Sequence, residues 1–204
     1  MTMVPMNSAQ VSRYGMVAIA LHWVIAIGIL ILIGMGLIMD HVSLDPMRVF
    51  QLYQLHKSIG ITVLMLVCLR VGWRLTHVAP SLPDSMPVRE RQVAHLAHLA
   101  LYGLQVILPL SGWAMVSVSV LGIPTVLFGT VPWPDLPVLA TLHNKGPVEV
   151  VLKEFHHWAA WTLAVLIILH VAAVLRHVFI LRDSVSGRML PWLASASRHK
   201  RWKN

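Results

Sequence analysis

Residues 154–177, EFHHWAAWTLAVLIILHVAAVLRH, hold four histidines in a stretch nearly free of charge and long enough to cross a bilayer. His22 lies within an earlier apolar stretch and His56 opens another, and the chain has twelve histidines in 204 residues. An ionisable group inside a membrane span is costly and marks function by default. Neutral imidazole is the usual ligand of haem iron, and two axial ligands must come from opposite sides of the ring. The chemistry this pattern could serve is electron transfer through haem, held by histidine pairs at matched depth on different helices. A histidine-based metal or proton transporter is the competing chemistry, but it calls for carboxylates beside the imidazoles. The acidic residues near the stretches, Asp40, Glu154 and Asp183, stand at their ends.

The elements that position these histidines follow from composition. The chain is 57% hydrophobic and 12% charged, more apolar surface than a soluble domain of this length can hide. Spans are expected at about 15–39, 52–75, 93–120 and 154–181. They make an all-α integral membrane protein, an antiparallel four-helix bundle forming a single domain. The first stretch is too long for a signal-peptide core and lacks a small-residue cleavage site, so it reads as a retained span. Asp45-Pro46 marks a turn or helix start. The third connection, about 121–152, carries five prolines, which forbid one continuous helix. Its apolar residues are expected to fold back over the end of the bundle, with Trp133 at the interface. The single cysteine, Cys68, reads as a packing residue, since no C-x-x-C-H or thiolate cluster is present for covalent haem or iron–sulfur.

The net charge of +8 follows topology rather than nucleic-acid binding. Ten basic residues flank one side: Arg13, then Arg74, Arg89 and Arg91, then six in the tail of 182–204. The first and third connections carry only Arg48 and Lys145. By the positive-inside rule both termini and the basic tail are cytoplasmic.

Depth and phase then pair the histidines. His22 follows the cytoplasmic start of its span by about 12 Å and His170 precedes the cytoplasmic end of its span by about 18 Å, at 1.5 Å per residue. His56 and His156 open their spans at the outer end. The pairs are therefore His22 with His170, an inner site, and His56 with His156, an outer site. His156 and His170 are 14 residues apart, about 40° short of four helical turns, with a rise of about 21 Å. His157 points about 140° away from His170, so His156 is read as the ligand and His157 as its neighbour. That fits two stacked haems, each with iron held by two histidines. Such irons keep no open axial position, so substrates exchange electrons at the haem edge.

These residues resemble the bacterial cytochrome b561 family of four-helix, di-haem membrane proteins. The resemblance rests on YGMVAIALHW ending at His22-Trp23, LHKSIGITVLMLVCLRVGWRL with His56 and Arg70, VAHLAHLALYGLQVILPLSGW, and LKEFHHWAAWTLAVLIILHVAAV. It covers about residues 12–185 and brings the four ligand histidines in order. It implies a bacterial inner-membrane location and haem ligation by His22, His56, His156 and His170. His157 departs from the family pattern, in which a glutamate often follows the ligand. Within the family the chain is most similar to the superoxide oxidase type. That similarity implies a superoxide:ubiquinone oxidoreductase that oxidises superoxide outside and reduces ubiquinone in the membrane. Other members pass electrons between quinol and a partner redox protein.

Arg70, inside its span, demands a partner, for which a propionate of the inner haem is the candidate. Lys57 and Lys153 stand beside the outer ligands and are the candidates for steering an anionic substrate. Snorkelling to the headgroups is the plain alternative for both. His95 and His98 share a helix face and are candidates for contact with a quinone oxygen or a propionate. Glycines within the spans, among them Gly28, Gly60 and Gly112, are expected to let helices approach.

Overall fold

A computed structural model describes residues 14–77, 86–182 and Met189. The segments 1–13, 78–85, 183–188 and 190–204, which include Arg13 and nearly all of the basic tail, lie outside the described residues.

Four long helices carry the fold: α1 (Met16–His41), α2 (Pro46–Thr76), α3 (Val88–Ser117) and α5 (Lys145–Leu175). A π-helical extension, Arg176–Leu181, continues α5. Each is long and apolar enough to cross a membrane. α2 begins where the sequence signals it: Pro46 stands in the first turn, and the Asp45 carboxylate accepts from the Arg48 N–H at 3.1 Å. The link between α1 and α2 is four residues long, which forces them antiparallel.

α1 packs on α2, α2 on α3 and α3 on α5. The core is one stripe from each helix: Ile25 and Ile29, Val63 and Val67, Leu101 and Leu108, Ala159 and Leu163. Spacings of four and seven residues keep each stripe on one helix face. The histidines extend these stripes. His22 precedes Ile25 by three residues, His156 precedes Ala159 by three, and His170 follows Leu163 by seven. Large apolar side chains such as Ile27, Leu30, Leu69 and Ile168 face outward, as a lipid solvent allows. Cys68 is also exposed on that surface rather than packed inside.

A Cβ placed on Gly28 would lie 2.9 Å from Val63 Cγ2, so the Val63 side chain of α2 packs directly against the α1 backbone there. Valine is stiff at χ1 and gives way poorly. Gly28→Leu is expected to destabilise the bundle by about 1–3 kcal/mol through overpacking, read as a lower thermal midpoint in detergent.

The third connection is more ordered than its prolines suggest. Strands β1 (Thr125–Leu127) and β2 (Val131–Trp133) pair antiparallel with Leu127 opposite Val131, and a short helix, α4 (Pro137–Ala140), follows. Phe128 and Gly129 turn the hairpin with positive φ of 52° and 71°. α5 then starts at Lys145, nine residues before the expected span. Pro147 is its third residue, where the missing N–H would have had no helical partner.

The connection lies over the end of the bundle, tied down by side chains from three helices. Ser58 on α2 is fully buried; its hydroxyl donates to the Gln54 carbonyl at 2.7 Å and accepts from the Phe128 N–H at 2.9 Å. On α3, the Trp113 indole donates to the Pro134 carbonyl at 2.8 Å, and Ser117 accepts from the Leu136 N–H at 2.9 Å. On α5, the buried Glu149 carboxylate accepts from the Val120 N–H at 2.8 Å and pairs with Lys153 at 2.9 Å. The bundle thus has a hairpin end and a termini end.

Candidate functional site

At the hairpin end the rings of His56 (α2) and His156 (α5) face each other with centroids 6.4 Å apart and planes at 72°. This is too far for stacking or a direct hydrogen bond. It is close to the span of two metal–nitrogen bonds of about 2 Å each plus two ring half-widths. Ser111 on α3 fixes the hydrogen on His156. Its hydroxyl has one proton, given to the Leu108 carbonyl at 2.8 Å, so at 2.9 Å it accepts from His156 Nδ1–H. Nε2 of His156 is then bare, the form a metal requires. The Nδ1 of His56 is buried and has no hydrogen-bond partner. His157 is exposed, with its ring edge-on to Trp158 at 5.5 Å.

At the termini end a second cluster forms on α1, α2, α3 and α5. Arg70 donates from Nη1 to His22 Nδ1 at 2.9 Å and from Nε to Tyr102 Oη at 3.2 Å. Its guanidinium also lies 5.3 Å from the centre of the Tyr102 ring. His98 stands edge-on to His170 with centroids 5.7 Å apart. Its Nδ1–H donates to the Ala94 carbonyl at 2.7 Å, which leaves Nε2 as an acceptor. His22 and His170 lie within electrostatic reach of each other and of His98. His95 is exposed and does not share these contacts.

Both histidine pairs bridge helices outside the close-packed sequence of α1 on α2, α2 on α3 and α3 on α5. A group held between two rings must lie between such helices. Among the described residues no cluster of three or more His, Cys, Asp or Glu converges as a metal-ion site would.

The sequence profile of prokaryotic cytochrome b561 matches residues 13–192. The chain belongs to this family. It is 36% identical over 179 residues to "Cytochrome b561 homolog 2" of Escherichia coli strain K12, covering 87% of this chain and 91% of that protein. It is 27% identical over 181 residues to "Probable superoxide oxidase CybB" of Yersinia pestis, covering 88% and 96%. As a cytochrome b561 the protein is a bacterial membrane electron-transfer protein, and membership implies haem b. The facing imidazoles and the bare Nε2 of His156 fit that group.

The cytochrome b561 fold also places residues that sequence reasoning missed. Ser111 is one of three serines in the expected third span, which read as helix glue, and only the rotation of α3 against α5 reveals its partner. Gly112 is next to it: a Cβ there would meet His156 Cε1 at 3.2 Å, so the glycine admits the ring. Tyr102, which anchors Arg70, carries no spacing signal. At Gly60 a Cβ would meet nothing within 4 Å, so helix packing does not explain that glycine. The two lysines beside the hairpin-end histidines both have acidic neighbours. Lys153 is bonded to Glu149, and Lys57 lies within reach of Asp135.

Proposed function

We propose that His56 with His156, and His22 with His170, each hold one haem b, and that the protein moves electrons between the two membrane faces. The observation that carries this is the hairpin-end pair, two half-buried rings 6.4 Å apart with the hydrogen of one fixed away from the gap. Bound haem would supply the one-electron carriers. The chain's own residues hold and orient the rings, while the hairpin and its ties cover the end where a substrate arrives. The basic flanks argue that this end faces outward and that both termini are cytoplasmic.

Superoxide oxidation with ubiquinone reduction is the activity we infer. Two superoxide anions become two dioxygen molecules; their two electrons, with two protons, convert one ubiquinone to ubiquinol. The similarity to the Yersinia pestis protein supports it, and Lys57 and Lys153 are the cations that would draw the anion in. At the termini end, His98 offers an acceptor nitrogen and Arg70 a donor, as a quinone or a haem propionate would use; His95, which does not share the contact with His170, is the weaker candidate. Purified protein mixed with superoxide and ubiquinone is expected to form ubiquinol faster than superoxide dismutes spontaneously. A rate no faster than dismutation would sink the superoxide reading.

One observation favours a second reading, an electron relay between quinol and a partner redox protein. The hairpin end carries five acidic residues, Asp40, Asp45, Asp135, Glu149 and Glu154, against four basic ones, Arg48, Lys57, Lys145 and Lys153. With both candidate lysines beside carboxylates, the field there is weaker than two free cations would give. Ubiquinol oxidation by an added protein acceptor, without superoxide turnover, is the result that would select it.

A further inference from the structure

The two imidazoles at the hairpin end are held differently, and Ser111 makes the difference. His156 has a fixed Nδ1–H, given to Ser111 at 2.9 Å, and the Leu108 carbonyl is also within its reach. Its ring rests against the α3 backbone at Gly112, where a Cβ would come within 3.2 Å. His56, opposite, has a buried Nδ1 with no acceptor. An acceptor on the far nitrogen fixes a ligand's tautomer and orientation and raises its basicity. A more basic ligand favours the higher oxidation state of the metal it binds.

We propose that Ser111 is a positioning residue for the haem held by His56 and His156, keeping its reduction potential low through His156. The proposal rests on the ligand pairing given above. Its consequence is directional. A low potential at the hairpin end makes an electron received there pass on readily to the termini end.

The test is a spectroelectrochemical titration of the haem-loaded protein, with His156→Ala identifying which signal belongs to the hairpin end. In Ser111→Ala the hairpin-end midpoint is expected to rise by about 59 mV, a tenfold fall in preference for the ferric state, with the other haem unchanged. Ser111→Thr, which keeps the hydroxyl, is expected to restore it. Selective loss of the hairpin-end haem in Ser111→Ala, recovered in Ser111→Thr, supports the same role. A Ser111→Ala titration superimposable on the parent overturns the proposal, because the Leu108 carbonyl would then suffice. Failure of threonine to restore, or loss of both haems, also overturns it. Should the parent protein lack two b-type haems, the ligand pairing itself fails, an outcome distinct from these.

Discussion

His156→Ala is expected to remove one of two haems, and His157→Ala to keep both. The two residues are adjacent, so hydropathy, depth and local charge are almost the same for each. What differs is direction, about 100° around the helix. His156 faces His56 across 6.4 Å and is fixed by Ser111; His157 is exposed, with its ring edge-on to its neighbour Trp158. Removing His156 deletes the ring that opposes His56, and no other histidine of the described residues stands at that face. The α-band of the reduced-minus-oxidised spectrum should fall to about half per protein, since one of two ligand pairs is broken. His157→Ala deletes a surface ring and should leave the spectrum unchanged. The opposite pattern would overturn the assignment and move the hairpin-end site to a different face of α5.

The legible part of this protein is periodic. An unbroken helix from Lys145 to Leu175 makes phase a reliable ruler, so the 14-residue spacing of His156 and His170 could be read without coordinates. Four spans were legible for the same reason: lipid imposes length and apolarity on the chain itself. What stayed hidden depends on how one helix is rotated against another. Ser111 meets His156, and Tyr102 meets Arg70, only because α3 presents that face to its neighbours. Glu149 was hidden differently. It stands two residues after Pro147, in sequence that reads as loop, yet the proline occupies the first turn of α5 and the carboxylate is buried beneath the third connection. His98 is hidden in the same way as Ser111, since its approach to His170, 5.7 Å between ring centroids, depends on how α3 is rotated against α5.

The second large effect expected is at Arg70. Arg70→Leu should weaken haem binding at the termini end by about 10–100-fold, the usual range for loss of a group that supports a ligand, and leave the hairpin-end haem in place. Arg70 donates to His22 Nδ1, which requires that nitrogen to be an acceptor. A neutral imidazole that binds iron through Nε2 carries its hydrogen on Nδ1, so the two arrangements exclude each other. Arg70 must therefore release His22 when haem binds, while Tyr102 can continue to hold its Nε at 3.2 Å. A charge released inside a membrane needs another partner, and a haem propionate is an anion suited to a guanidinium. Misfolding would give the same loss of haem, but the sign of the stability change separates the two. Replacing a buried charged group by an apolar one is often neutral or stabilising when no cofactor depends on it. The haem-free Arg70→Leu protein should thus melt at or above the temperature of the haem-free parent, while its titration with haem saturates at one site. A variant that melts lower and loses both sites would mean that Arg70 holds the helices together rather than the cofactor.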